Sequence, residues 1–431
     1  MELKFYPTAG FAPMHGQAEV SPLSNPEKTI LRELAKNVAE IAAHPEQETK
    51  RNLWYAHNRL EKTRPLVLLF PENSWDQILG PDTLQVKSPF WKQWEWYLRH
   101  LVYRNLNFVD DLVIEPVLYV NKIIRTGSWG VECGFVHSTD EKGSWVYEPP
   151  LKNPDDIKKL TTPTIEVDEK GTQEIYDAIS DVFGDLLDVR LHCQPPAANI
   201  ISEATMFRGI QQVMMDMYDR PEWLHELLSI ISDAVLKQAE YLEQNGHLTL
   251  NNRNHYTDTG GIGYTNQLPT KNYDGKQVKL NDLWGLGVAQ ELSEVGPTQH
   301  EEFAINYQLP ILERFGLNSY GCCEPLTRKF DLIKKRIPRL RRVSVSPWCD
   351  TEIAAEALED KYIYSWRYNP ANIVGVFEPE KIRADIQNLL HVAKDCVLEI
   401  ILKDTITVEN DPQRLNIWSQ IVMDEINKRC E

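Results

Sequence analysis

The run Asn318-Ser319-Tyr320-Gly321-Cys322-Cys323-Glu324-Pro325-Leu326 follows the apolar residues Phe315 and Leu317. Arg-Lys-Phe-Asp-Leu-Ile-Lys-Lys (residues 328–335) continues it with a helical pattern. Two adjacent cysteines, a carboxylate and a proline therefore fall where a strand stops and a helix starts. In a barrel of alternating strands and helices, that junction faces the active site. Soft sulfur beside hard oxygen suits zinc. Two buried cysteines packing as small hydrophobes would leave the same letters, and a cysteine pair without a second ligand pair does not separate the two readings.

Outward from this junction the chain alternates. Leu66–Phe70 is an unbroken apolar run after Pro65 and reads as a buried parallel strand. Leu112–Val120, Val189–His192, Leu248–Asn252, Gly316–Tyr320, Arg342–Ser346, Tyr362–Trp366 and Cys396–Leu402 read as further strands. Helical patterns fall between them: Met206–Met217, a helix capped by Asp219 with Pro221 just inside it, Gln308–Arg314, Asp331–Arg336, Thr351–Leu358 and Pro379–Leu390. Repeated strand–helix units with short connections imply parallel pairing, and roughly eight strands favour a closed (β/α)8 TIM barrel over an open sheet. The barrel is placed over residues 63–431. Residues 1–62 form an N-terminal helical extension, with Leu31, Leu34, Val38 and Ile41 at helical spacing. It reads as a cap or a dimer-contact arm, which would make a homodimer. The glycine- and aromatic-rich region from Gly127 to Pro150 reads as a loop insertion or hairpin.

Composition narrows the function. A net charge of -17 argues against nucleic acid as the main partner and against an anionic membrane surface. No stretch approaches a membrane-spanning length, and the N-terminus has no signal core. Seven scattered cysteines are not a disulfide framework, so a reducing cytoplasm is the expected home. Twelve Trp and seventeen Tyr supply rings for pocket walls or for packing.

In a barrel, functional residues follow the strands. That rule selects Glu72 and Trp75 after the first strand, and His192 after Leu191. It selects Asn252 and His255 after Leu250, followed by Gly260-Gly261-Ile262-Gly263. Cys322, Cys323 and Glu324 follow Leu317, Trp348 and Cys349 follow Val345, and Trp366 follows Ser365. The glycine run does not open a helix, so it reads as a flexible active-site loop rather than a phosphate cradle. No Gly-x-Ser-x-Gly elbow, Walker loop or dinucleotide fingerprint occurs.

Glu313-Arg314-Phe315-Gly316-Leu317 into Tyr320-Gly321-Cys322-Cys323-Glu324-Pro325-Leu326, and Arg342-Val343-Ser344-Val345-Ser346-Pro347-Trp348, resemble a branch of the uroporphyrinogen decarboxylase-like superfamily. Met214-Met215-Asp216-Met217-Tyr218-Asp219-Arg220-Pro221-Glu222 and Gly260-Gly261-Ile262-Gly263-Tyr264 carry the same resemblance, which runs from about Asn58 onward. It implies the (β/α)8 barrel and kinship with corrinoid-dependent methyltransferases of the O-demethylase type, found in anaerobic metabolism. Related zinc methyltransferases use a His-x-Cys pair and a later Cys. Here Cys322 matches the Cys of the pair, Tyr320 stands at the His position, and Cys349 lies near the later Cys. The Arg-rich N-terminal segment of true uroporphyrinogen decarboxylases is absent, which argues against a polyanionic substrate.

The expectation is a methyltransferase that moves a methyl group from a small methylated substrate, a methoxylated aromatic, to the cobalt(I) of a separate corrinoid protein. Zinc on Cys322 and Cys323, or a general acid, would polarise the ether oxygen. His192, Asn252, His255 and Glu324 are the expected catalytic groups. Glu72, Trp75, Trp348 and Trp366 are the expected substrate contacts. A metal-free decarboxylase-like enzyme acting on a small carboxylic acid, and a non-catalytic corrinoid-protein partner, are the alternatives.

Overall fold

The structure, a computed structural model, describes residues 19–139, 143–257 and 260–430. In chain order its first strands are β1 (Leu66–Leu69), β2 (Val117–Asn121), β3 (Ile124–Thr126), β4 (Gly134–His137), β5 (Trp145–Glu148), β6 (Ile165–Val167) and β7 (Asp188–His192). After them come β8 (Trp284–Gly287), β9 (Leu317–Tyr320), β10 (Leu340–Val345), β11 (Ile363–Tyr368) and β12 (Val397–Leu402). The largest sheet is parallel, in the order β1-β12-β11-β10-β9-β8. Strands β8 to β12 are thus neighbours in chain order, and the last pairs with the first. β2 and β7 make a second parallel pair. The antiparallel pair β4–β5 lies within the expected 127–150 insertion, and the antiparallel pair β3–β6 flanks it on both sides.

Burial without interruption along β1, β9, β11 and β12 shows that both faces of the sheet are covered. On one face, Val67, Leu69, Tyr364, Trp366, Tyr368, Leu398, Ile400 and Leu402 join the large core shared with the helices. The helices Phe330–Arg336, Thr351–Leu358 and Pro379–Val392 connect β9 through β12. On the other face, Leu66, Leu68, Phe70 and Ile401 pack with Trp54, Leu112, Val113, Ile262 and Tyr264.

That inner face is filled by two pieces of chain. One is the end of the helix Pro45–Asn58, which brings in Trp54, His57 and Asn58. The other is the segment 260–264. A Cβ on Gly260 would lie 2.8 Å from Cδ1 of Ile401, and one on Gly261 would lie 2.3 Å from Nε of Arg342. Glycine is required there by close approach. The expectation of a flexible active-site loop is therefore corrected for residues 260–263: they are packing residues inside the sheet. Residues 258 and 259 lie outside the described residues.

A buried polar network spans the same interior. Arg342 and Glu399 are both 0 % exposed, with Nε of Arg342 3.0 Å from Oε1 of Glu399. Arg342 also donates to Asn58 (2.7 Å), and its guanidinium lies 5.2 Å from the Trp284 ring centroid. His57 Nε2 lies 3.1 Å from Glu399, and Ser365 donates to the same carboxylate. Burial alone would raise the Glu399 carboxyl, but Arg342, His57 and Ser365 hold it down to about 2.

Two joints of the sheet carry side-chain bonds in place of a ladder. Asp111 donates its N–H to Val67 and accepts from the Val67 N–H, each at 2.8 Å, beside β1. Leu248–Asn252, expected as a strand, forms no ladder. Thr249 donates to Cys193 O (3.0 Å), and the Asn251 side chain both donates to Trp284 O and accepts from Trp284 N. The strand of the parallel sheet that the sequence reading lacks is β8, Trp-Gly-Leu-Gly. Its glycines sit under Phe315 and Tyr320, where a Cβ would come within 2.5 and 2.8 Å of the rings.

The helix Asn25–Ala42 is held to the body by ion pairs Lys28–Asp181 and Arg32–Asp185, both 2.7 Å. Among the described residues, no helix is long and apolar enough to cross a membrane.

Candidate active site at the carboxyl ends of the strands

Gly321 ends β9 with φ +98°, a left-handed turn that places Cys322 and Cys323 beyond the sheet. Glu324 secures this turn. Its carboxylate accepts from the backbone N–H of Cys322 (2.8 Å) and from that of Ala289 (3.4 Å), so it ties the end of β9 to the end of β8. It is wholly buried, and burial pushes it up to about 6 against the pull of those backbone donors. Glu324, expected as a catalytic group, holds the Cys322 N–H at this turn.

The thiols of Cys322 and Cys323 lie 3.5 Å apart. The hydrogen bond between them, together with burial, raises Cys322; the same hydrogen bond lowers Cys323 against the opposing effect of burial. From the end of β12 comes Lys403, whose Nζ lies 3.3 Å from Oδ1 of Asp404 and 4.0 Å from Oε1 of Glu72. The Lys403 charge acts on both thiols. Burial opposes its ammonium form, but Tyr256, Asp404, Glu72 and Cys322 outweigh burial and hold Lys403 above its ordinary value.

Glu72 comes from the end of β1 and accepts from the Asp404 N–H at 2.9 Å. Burial pushes its carboxyl up to about 7 against the opposing pull of Lys403. Glu72 (φ +46°) and Asp404 (φ +58°) both occupy the left-handed region without being glycine. Such strain concentrates where a site needs exact placement.

The donor set does not fit zinc. Catalytic zinc takes three protein ligands and keeps one position open. Cys322 and Cys323 supply two donors. Among the described residues, no group of three or more His, Cys, Asp or Glu side chains is arranged to hold a metal. Cys349 is buried, and its Sγ accepts from the Leu326 N–H at 3.1 Å.

A second cluster stands at β2 and β7. The His192 and His255 rings stack at 5.1 Å with 18° between planes, and Tyr119 lies 4.8 Å from His255. Both ring nitrogens of His255 and Nδ1 of His192 are buried with no hydrogen-bond partner among the described residues. Burial holds His192 down to about 4 and His255 well below its ordinary value. Both rings are neutral at pH 7 and offer an acceptor and a donor each.

The other expected residues lie elsewhere. Asn252 donates to Leu268 O (2.6 Å), and Leu268 packs on Trp284 and Leu317, the first residues of β8 and β9. Asn252 is thus at the amino ends of the strands, beside a cleft of about 630 Å³ lined by Tyr55, Arg59 and Arg253. Trp75 sits in an aromatic core with Trp96 (5.8 Å) and His100 (5.6 Å). Trp366 faces the helices beside Tyr368. Trp348 is 68 % exposed after β10. Lys403 and Asp404 are absent from the sequence reading. They stand directly after the apolar run ending at Leu402, so the strand-end rule applied to the last strand would have found them.

No family model and no curated protein matches this chain. Among solved structures, a methyltransferase from Methanosarcina mazei is similar, with a TM-score of 0.47 and 9% sequence identity over 88% of this chain and 98% of that one. A likeness of that degree carries no argument about activity.

Proposed function

We propose that the chain is a methyltransferase on a closed eight-stranded parallel barrel, acting on a small methylated substrate, a methoxylated aromatic, by acid-assisted O-demethylation. The return of β12 to β1, and the side-chain bonds of Asp111 and Asn251 at the two open joints, support closure. The observation that carries the functional reading is the convergence of Glu72, Lys403, Asp404 and the Cys322–Cys323 pair at the carboxyl ends of β1, β12 and β9. Barrel enzymes place their chemistry at that end. The Tyr320–Leu326 and Ser344–Trp348 motifs supply the kinship with methyl transfer.

An aryl methyl ether breaks when the methyl carbon accepts an electron pair and the aryl oxygen leaves. The acceptor would be the cobalt(I) of a corrinoid carried by a separate protein, which supplies that electron pair. Glu72, held near neutrality in its acid form, delivers a proton to the departing oxygen. The half-buried Lys403 ammonium faces the negative charge that develops there. His192 and His255, both neutral, orient polar substituents on the ring. No step passes through zinc.

A decarboxylase-like reaction on a small acid is the second reading. The Lys403 ammonium favours it, because it would pair with a substrate carboxylate. Incubating the purified chain with a reduced corrinoid protein and a panel of methoxylated aromatics separates the two. Phenol release matched by methyl-corrinoid formation is the expected result. Carbon dioxide release from simple aromatic acids without corrinoid would favour the second reading and sink the first.

A further inference from the structure

In extended chain, neighbouring side chains point to opposite faces. Cys322 and Cys323 do not. The left-handed turn at Gly321 and the Glu324 carboxylate on the Cys322 N–H fold the backbone so that both thiols point to one side, 3.5 Å apart. Cys323 is exposed and Cys322 is half-buried behind it. No other two of the free cysteines are neighbours in the chain. Cys193 and Cys349 are buried, and Cys396 donates to the Ala355 carbonyl at 3.7 Å.

We propose that Cys322 and Cys323 form a reversible vicinal dithiol–disulfide pair, a modification site whose oxidant is a low-molecular-weight disulfide of the glutathione class. Cys323, the accessible thiol, attacks the disulfide as its thiolate. One sulfur–sulfur bond breaks, a mixed disulfide forms, and the first small thiol leaves as its thiolate and takes up the proton that Cys323 gave up. Cys322 then attacks the Cys323 sulfur. The second small thiol leaves and takes the Cys322 proton. The protein loses two electrons and two protons, and the small disulfide becomes two thiols.

The product is easily reduced for a geometric reason. Adjacent Cα atoms are about 3.8 Å apart across a trans peptide, while unstrained disulfides span about 4.4–6.8 Å. Strained disulfides have more oxidising potentials and belong to the labile, regulatory kind. The pair shares the field of Lys403 at the strand ends. Oxidation therefore removes both thiols from the proposed active site. That last consequence rests on the proposed function, whereas disulfide formation itself does not.

The test treats the folded protein with oxidised glutathione, blocks free thiols, and reads the peptide containing residues 322 and 323 by mass spectrometry, before and after dithiothreitol. The expected result is a loss of two hydrogen masses, no retained glutathione, and full reversal. Cys322→Ser should instead trap glutathione on Cys323. A stable glutathione adduct in the unaltered protein, or two free thiols after treatment, would overturn the pair. Circular dichroism of Cys322→Ser checks that it folds. If that variant does not fold, capture of one phenylarsine oxide per unaltered chain, lost after oxidation, reads the dithiol without a variant. Absence of capture would overturn it. Disulfide formation with unchanged turnover would leave the pair standing and count against the active-site placement alone.

Discussion

Replacing Arg342 by methionine tests whether the inside of the sheet is built around one compensated charge. Methionine keeps an unbranched apolar stem but removes the guanidinium that faces Glu399 at 3.0 Å. Glu399 is 0 % exposed and is held at about 2 against an ordinary 4.5. At about 1.4 kcal/mol per pH unit, that displacement corresponds to about 3 kcal/mol. That figure is the balance of burial against Arg342, His57 and Ser365 together, and removing one partner of a buried pair costs about 3–5 kcal/mol in other proteins because the remaining charge is left uncompensated. The pH dependence follows from the sign. A carboxyl whose folded pKa is lowered stabilises the fold above its unfolded value and loses that contribution as pH falls from about 4.5 to about 2. Urea unfolding followed by tryptophan fluorescence should show Arg342→Met less stable by about 3 kcal/mol at pH 7. The gap should narrow below pH 4.5. Arg342→Met combined with Glu399→Leu should recover part of the loss, because no lone charge remains. A single variant within about 0.5 kcal/mol of the unaltered protein at pH 7 would refute the reasoning. So would a gap that stays constant into acid.

Gly261→Ala should destabilise by about 3 kcal/mol, since its Cβ would fall 2.3 Å from Arg342 Nε; an unfolding midpoint equal to that of the unaltered protein would contradict the packed inner segment. In the proposed reaction Glu72 donates a proton, so the methyl-transfer rate should fall as pH rises through about 7; a rate that rises through this range would mean that Glu72 is not the proton donor. His192 and His255 are held below their ordinary values by burial, so the unfolded chain takes up protons first as pH drops from about 6.5 towards 4, and stability falls over that window. His255→Phe should flatten this acid loss in a series of unfolding curves, and an unchanged slope would assign the loss to other groups.

Much of the parallel sheet was legible: β1 is an unbroken apolar run and β12 is one apart from Glu399, both buried throughout, while β9, β10 and β11 carry polar residues and were read from their alternation with helical segments. β8 was not legible. Its glycines make room for Phe315 and Tyr320, a requirement set by residues some thirty positions away. The Leu248–Asn252 run reads as a strand by composition, yet its pairing passes through the Asn251 amide rather than a ladder. Among site residues, the junction after β9 was found because a cysteine pair at a strand end is rare. Trp366 was misplaced because β11 runs on to Tyr368, so it lies inside the strand and alternation turns it to the helices. Arg342 and Glu399 were passed over as single charges in apolar strands. A charge inside a strand buried on both faces needs a partner across the sheet, and that signal would have found them.

In the proposed function, chemistry occurs at the carboxyl ends of the strands, around Glu72 and Lys403, and not in the cleft at the amino ends beside Asn252. Methyl transfer from a methoxylated aromatic to a reduced corrinoid protein, measured side by side for Glu72→Gln and Asn252→Ala, tests it directly. Glu72→Gln should lose about a hundredfold or more in kcat while Asn252→Ala stays close to the unaltered chain. Loss of transfer in Asn252→Ala with Glu72→Gln unaffected would contradict it.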